Sequence, residues 1–127
     1  MTGARKGVIL LVHGSRDRAW LTPFFELMDQ VLEKSPGVRF ALACLQFCPP
    51  TLEDSLGELS GEGIEKVMIV PVFISSLGHV TKDVPGMVEA AKARYPNCKI
   101  ELQESLGEQP EVKAAFIESL SRLAENF

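Results

Sequence analysis

Lys66–Asp83, KVMIVPVFISSLGHVTKD, is the stretch from which the rest of the chain is read. Val67–Ile74 is an apolar run rich in valine and isoleucine, residues that suit a strand buried on both faces. The run breaks into Ser75, Ser76, Leu77 and Gly78 and presents His79 just before a helical pattern begins. A buried strand that ends in small residues and a histidine sets a titratable ligand at the carboxyl edge of a sheet. Open α/β sheets bind their ligands at that edge. The only other histidine, His13, closes a similar run, Val8-Ile9-Leu10-Leu11-Val12-His13-Gly14-Ser15-Arg16. Two strands that each end in histidine and glycine point to one site built from two loops.

The remaining elements follow from hydrophobic spacing and punctuation. Gly7–Val12 reads as the first strand. Trp20–Glu33 carries Leu21, Phe24, Phe25, Leu27, Met28, Val31 and Leu32 at helical spacing and stops at Ser35-Pro36-Gly37. Val38–Phe47 reads as the second strand, ended by Cys48-Pro49-Pro50. Thr51 has the character of an N-cap, with Asp54 as its capping-box partner. The helix behind it carries Leu52, Leu56 and Leu59 and ends near Gly61–Gly63. Lys66–Phe73 is the third strand and Val80–Arg94 the third helix. Cys98–Gln103 is the fourth strand. Glu111–Asn126 is the last helix, with Pro110 at its first turn. The order βαβαβαβα implies one α/β domain over residues 1–127: a four-stranded parallel sheet with right-handed crossovers and helices on both faces.

Composition narrows the function. The 127 residues are 46% hydrophobic and 24% charged, ordinary for a globular chain. A net charge of −4 argues against nucleic acid as partner, because phosphate neutralisation calls for a basic surface. No apolar run approaches the roughly 18–20 residues of a membrane helix. The N-terminal cations and apolar run lack a small-residue cleavage site, so they read as the first strand rather than a signal peptide, and the protein as cytoplasmic. Cys44, Cys48 and Cys98 are odd in number and do not form a disulfide framework. They read as small buried hydrophobes. Strand alternation would set Cys44 and Cys48 on the same face as Gln46.

Imidazole, with a usual pKa near 6.5, can ligate a metal or carry a proton at neutral pH. His13 and His79 together describe an open site, two nitrogens and free positions, closer to a catalytic than a structural metal site. A hydrolase is a poor alternative. His13-Gly14-Ser15 has the look of an oxyanion segment, but Ile74–Gly78 lacks the first glycine of a nucleophile elbow and no histidine follows His79. A dinucleotide-binding domain is equally poor, since no Gly-x-Gly-x-x-Gly follows the first strand.

LLVHGSRD and VMIVPVFISSLGHVTKDVP resemble the two signature segments of the sirohydrochlorin chelatases, in their small single-domain, cobaltochelatase-type form. The ACLQF…PTLEDSL segment extends the resemblance over most of the chain. What it implies is a metal-ion lyase that inserts Co²⁺, or in relatives Ni²⁺ or Fe²⁺, into the tetrapyrrole sirohydrochlorin for cobalamin or siroheme synthesis. The divalent metal is then a substrate, no organic cofactor is needed, and two short chains pair as a homodimer around the macrocycle. The resemblance assigns metal handling and catalysis to His13 and His79. The family's frequent third ligand, a glutamate, falls on Gln46, which keeps the oxygen but loses the charge. Ser15, Arg16, Ser75, Ser76 and Gly78, with Lys82 beside them, are then candidates to meet the carboxylates of the macrocycle, helped by amides at helix starts. The same resemblance admits a non-catalytic carrier of tetrapyrrole or metal.

Overall fold

A computed structural model describes residues 5–75, 78 and 81–127. The strands are β1 (Lys6–Val12), β2 (Arg39–Cys44), β3 (Lys66–Pro71) and β4 (Lys99–Leu102). They alternate with helices α1 (Thr22–Lys34), α2 (Leu52–Gly61), α3 (Val84–Arg94) and α4 (Pro110–Glu125). The sheet is parallel throughout, in the order β2-β1-β3-β4. Val8 of the central β1 pairs Phe40 on one side and Met68 on the other.

Alternation along β1 feeds two cores. Ile9 and Leu11 join Leu52, Leu56 and Leu59 of α2 and Val84 and Val88 of α3. Leu10 and Val12 pack on the other face with Leu21, Phe24 and Met28 at the start of α1. Helices therefore cover both faces, as the periodicity implies. The first half of α2 is well satisfied. Thr51 and Asp54 form the expected capping box, and Ser55 Oγ, buried mid-helix, donates to the Leu42 carbonyl at 2.6 Å.

Three of the boundaries that differ from the sequence reading do so for a tertiary reason. β2 ends at Cys44 rather than Phe47. Phe47 sits at φ 73°, where a side chain is crowded, and the Cys44 N–H turns to the Pro50 carbonyl at 2.8 Å. β3 ends at Pro71 rather than Phe73, because the Phe73 carbonyl is taken by the Gly107 N–H at 2.9 Å instead of by β4. Gly107 is needed there: a Cβ would lie 2.5 Å from the Ile74 backbone. α3 begins at Val84, after a tight 3₁₀ turn at Thr81–Asp83. Pro85 has no N–H to give and is tolerated in the first turn, not a turn and a half inside a helix begun at Val80.

α4 behaves unlike the other helices. Pro110 stands in its first turn as expected, and like α1 it buries none of its residues, but unlike α1 it packs into neither core. Phe116, Ile117, Leu120 and Leu123 share one face and are 45–65% exposed.

Candidate functional site

The strand order reverses between β1 and β3: the chain leaves β1 for one edge and returns to β3 on its other side. Loops after two such strands part above the sheet and leave a crevice. His13 stands there, the first residue beyond β1, and is exposed. Its ring lies against Phe73, with centroids 4.2 Å apart and planes tilted 32°. Phe73 is therefore both part of the core and the floor under the imidazole.

The loop after β2 is stitched to the loop after β1. Leu45 and Gln46 donate their amides to the carbonyls of Val12 and His13, at 2.9 and 3.1 Å. The backbones come so close at Gly14, φ +94°, that a Cβ would sit 1.9 Å from the Gln46 carbonyl oxygen. Glycine is the one residue that fits. Gln46 is thus brought beside His13, with an exposed side chain. Gly14, Ser15, Arg16 and Phe47 line a cavity of about 440 Å³ next to it. The Arg16 guanidinium lies over the Phe47 ring, 5.3 Å from its centroid, which places a cation at the rim. Ser15 Oγ accepts from the Asp17 amide at 3.1 Å, and Asp17 Oδ1 accepts from Ala19 at 3.0 Å, so this loop is held by its own side chains.

On the β3 side, Ser75 is half-buried and Gly78, exposed at φ 138°, needs glycine's freedom. Lys82 is exposed in the turn before α3. Ser76, Leu77, His79 and Val80 lie outside the described residues. The structure thus joins His13, Gly14, Ser15, Arg16 and Gln46, and leaves the pairing of His13 with His79 undescribed. Among the described residues, no three histidine, cysteine or acidic side chains gather as a metal site.

Sequence reasoning missed Phe47, which the strand reading had absorbed. It also misplaced the cysteines. Gln46 lies beyond the end of β2, so strand alternation does not put it on the face of Cys44. Cys44 is buried in the core beneath α1, whereas Gln46 faces out. A turn brings the sulfurs of Cys44 and Cys48 to 3.0 Å. Burial, with the neighbouring sulfur, pushes the Cys44 thiol up to about 12. Cys48 moves the other way, lowered by the Cys44 thiol, the Ser15 amide and Arg18. The spacing Cys-x-x-x-Cys at a strand end was the available signal.

The described geometry defines a parallel α/β protein whose candidate site lies at the carboxyl edge of the sheet, where the strand order reverses. Residues 7–123 match the CbiX family, and the chain belongs to that family. A sirohydrochlorin cobaltochelatase of Methanosarcina acetivorans is 30% identical over 82 residues, 65% of this chain. The match spans 63% of that relative's own length. A putative cobalamin biosynthesis CbiX protein from Marinobacter aquaeolei superposes with a TM-score of 0.78 at 30% identity, over 96% of this chain and 99% of its own. The sirohydrochlorin chelatase SirB of Bacillus subtilis subspecies spizizenii, in complex with cobalt, shares the fold with a TM-score of 0.77 at 20% identity. The match covers 94% of this chain but 51% of SirB.

Proposed function

We propose that residues 1–127 form one chelatase domain that inserts a divalent ion, Co²⁺ first among Co²⁺, Ni²⁺ and Fe²⁺, into sirohydrochlorin. The observation that carries this reading is His13, displayed on Phe73 at the head of β1 beside a cavity rimmed by Arg16. The names of the related cobaltochelatases support the substrate. Insertion requires the ion to shed water and two pyrrole N–H protons to leave. Neutral imidazole holds such ions firmly but releases them more readily than thiolate does. In this proposal His79 ligates the ion and accepts a pyrrole proton, and His13 is the second ligand or passes the proton to water. Arg16, Ser15, Ser75, Ser76 and the backbone at Gly78 meet the macrocycle's carboxylates. The product serves cobalamin- or siroheme-type synthesis in the cytoplasm, with no organic cofactor.

Gln46, which lacks the charge of a carboxylate ligand, favours a second reading, a carrier that binds without turnover. One anaerobic assay separates the two. Protein, sirohydrochlorin and Co²⁺ are mixed and the absorption change is followed. Catalytic turnover beyond one equivalent supports the enzyme; a single stoichiometric change supports the carrier. In the enzyme, Gln46→Glu should raise the rate roughly three- to tenfold, because a carboxylate near the surface adds about 1 kcal/mol of attraction to the ion. An unchanged or lower rate removes Gln46 from the metal path.

The active unit is proposed to be a homodimer. The chain matches half of SirB, so a second copy would supply the other lobe and bring two His13 loops toward one cavity. The exposed apolar face of α4, with Phe116, Ile117, Leu120 and Leu123 side by side, supports this, since contiguous exposed apolar residues mark interaction surfaces. No helix among the described residues is long and apolar enough to cross a membrane. Sizing at micromolar concentration should give a dimer, and Leu120→Glu a monomer. A monomeric wild type would remove the two-lobed site.

A further inference from the structure

We infer that Cys44 and Cys48 are a redox-active dithiol that takes a small-molecule disulfide as oxidant, and that closing it resets the wall of the site. The pair has the required asymmetry. Cys44 is the last residue of β2, 2% exposed, its backbone held by the ladder to Val12. Cys48 is half-buried and reachable, on the far side of the turn. Their sulfurs are 3.0 Å apart and both are free thiols. A disulfide needs about 2.05 Å, so the sulfurs must approach by roughly 1 Å, without any rearrangement of strands. Cys98 belongs to the other core, with Ile100 and Val67, and is not part of the pair.

The chemistry balances with two thiols and one oxidant. Cys48 loses its proton to solvent, and its sulfur attacks one sulfur of the oxidant RSSR. The S–S bond breaks and RS⁻ leaves, giving a mixed disulfide at Cys48. Cys44 then loses its proton and attacks Cys48 Sγ, expelling the second RS⁻. The protein gives up two electrons and two protons, and RSSR becomes two RSH. Because Cys44 is close and shielded, it resolves the mixed disulfide before a second external thiol arrives.

The residues bridged by this bond are the ones that shape the cavity. Between the cysteines lie Gln46, whose carbonyl touches Gly14 and whose amide holds the His13 carbonyl, and Phe47, which carries Arg16. Drawing Cys48 inward by about 1 Å moves this wall, and displacements of that size change turnover strongly. This second step rests on the proposed chelatase reading; disulfide formation does not.

The test treats the reduced, full-length protein with oxidised glutathione, then counts thiols and maps peptides by mass spectrometry. Thiols are expected to fall from three to one, with a Cys44–Cys48 cross-link and a loss of two hydrogens. Cys98→Ser should form the same link, while Cys44→Ser should stop at glutathione bound to Cys48. Three surviving thiols, glutathione retained on wild-type Cys48, or a link through Cys98 overturns the dithiol. Insertion by the oxidised wild type should be about tenfold slower and recover with dithiothreitol. A cross-linked protein with full activity overturns the effect on the wall. If the reduced protein shows no insertion at all, the chelatase reading fails and the dithiol result still stands.

Discussion

Replacing His13 by alanine is expected to slow metal insertion by about 10²–10³-fold while leaving the fold in place. The two halves of this expectation have separate causes. The imidazole is exposed, and the contact that defines its position is the tilted stacking on Phe73. Losing that pair costs about 0.5–1.5 kcal/mol, well inside the margin of an ordinary domain. The chemical loss is larger because nothing nearby replaces the nitrogen. Gln46 offers an amide, which neither takes up a proton at neutral pH nor binds a divalent ion as firmly. The measurement is the anaerobic absorption change under saturating Co²⁺, beside a thermal melt of the same preparation. A variant that melts like the wild type and inserts at the wild-type rate removes His13 from the mechanism. His13→Gln, of similar reach but without a basic nitrogen, should be as slow as alanine.

Gly14→Ala should damage both stability and activity. The new methyl would meet the Gln46 carbonyl oxygen at 1.9 Å and Cys44 Cβ at 3.1 Å, and φ +94° is a region that side chains rarely occupy. Backbone strain costs about 1–3 kcal/mol and forced repacking a similar amount, so a loss of about 2–5 kcal/mol is expected. The chain can relieve the clash only by parting the two loops. That breaks the Gln46-to-His13 hydrogen bond and opens the cavity wall, so the surviving folded fraction should insert metal at least about 100-fold more slowly. Urea unfolding gives the first number and the chelation assay, corrected for folded protein, the second. A stable and active Gly14→Ala would mean that the stitched loops do not form the site. At Gly37, by contrast, no heavy atom lies within 4 Å of an added Cβ, so the same change there should be nearly silent.

The candidate site was legible in unequal parts. His13 was readable because a valine- and leucine-rich run ending in His-Gly has one common meaning, a parallel strand reaching its ligand edge. Arg16 and Ser15 followed as its neighbours in the chain. Phe47 was not readable: an apolar residue after a strand looks like more strand, and its φ of 73° depends on Pro50 folding back to accept from Cys44. The meeting of the two sulfurs is invisible for the same reason. His79 and Ser76 fall outside the described residues, so their place in the site rests on the resemblance of their segment and on the assays above.

Hydrophobic spacing, the Thr51–Asp54 capping box and Pro110 suffice to lay out alternating strands and helices, and hence a parallel sheet. These signals are local, since each residue reports its own burial or its own turn. Tertiary packing alone set where β2 and β3 stop, how close Gly14 comes to Gln46, what supports His13, and that α4 keeps its apolar face outward. Those outcomes depend on which distant backbone group answers a given N–H, and on which surface is left to cover a given side chain. Partners far along the chain settle both, and no periodicity records them.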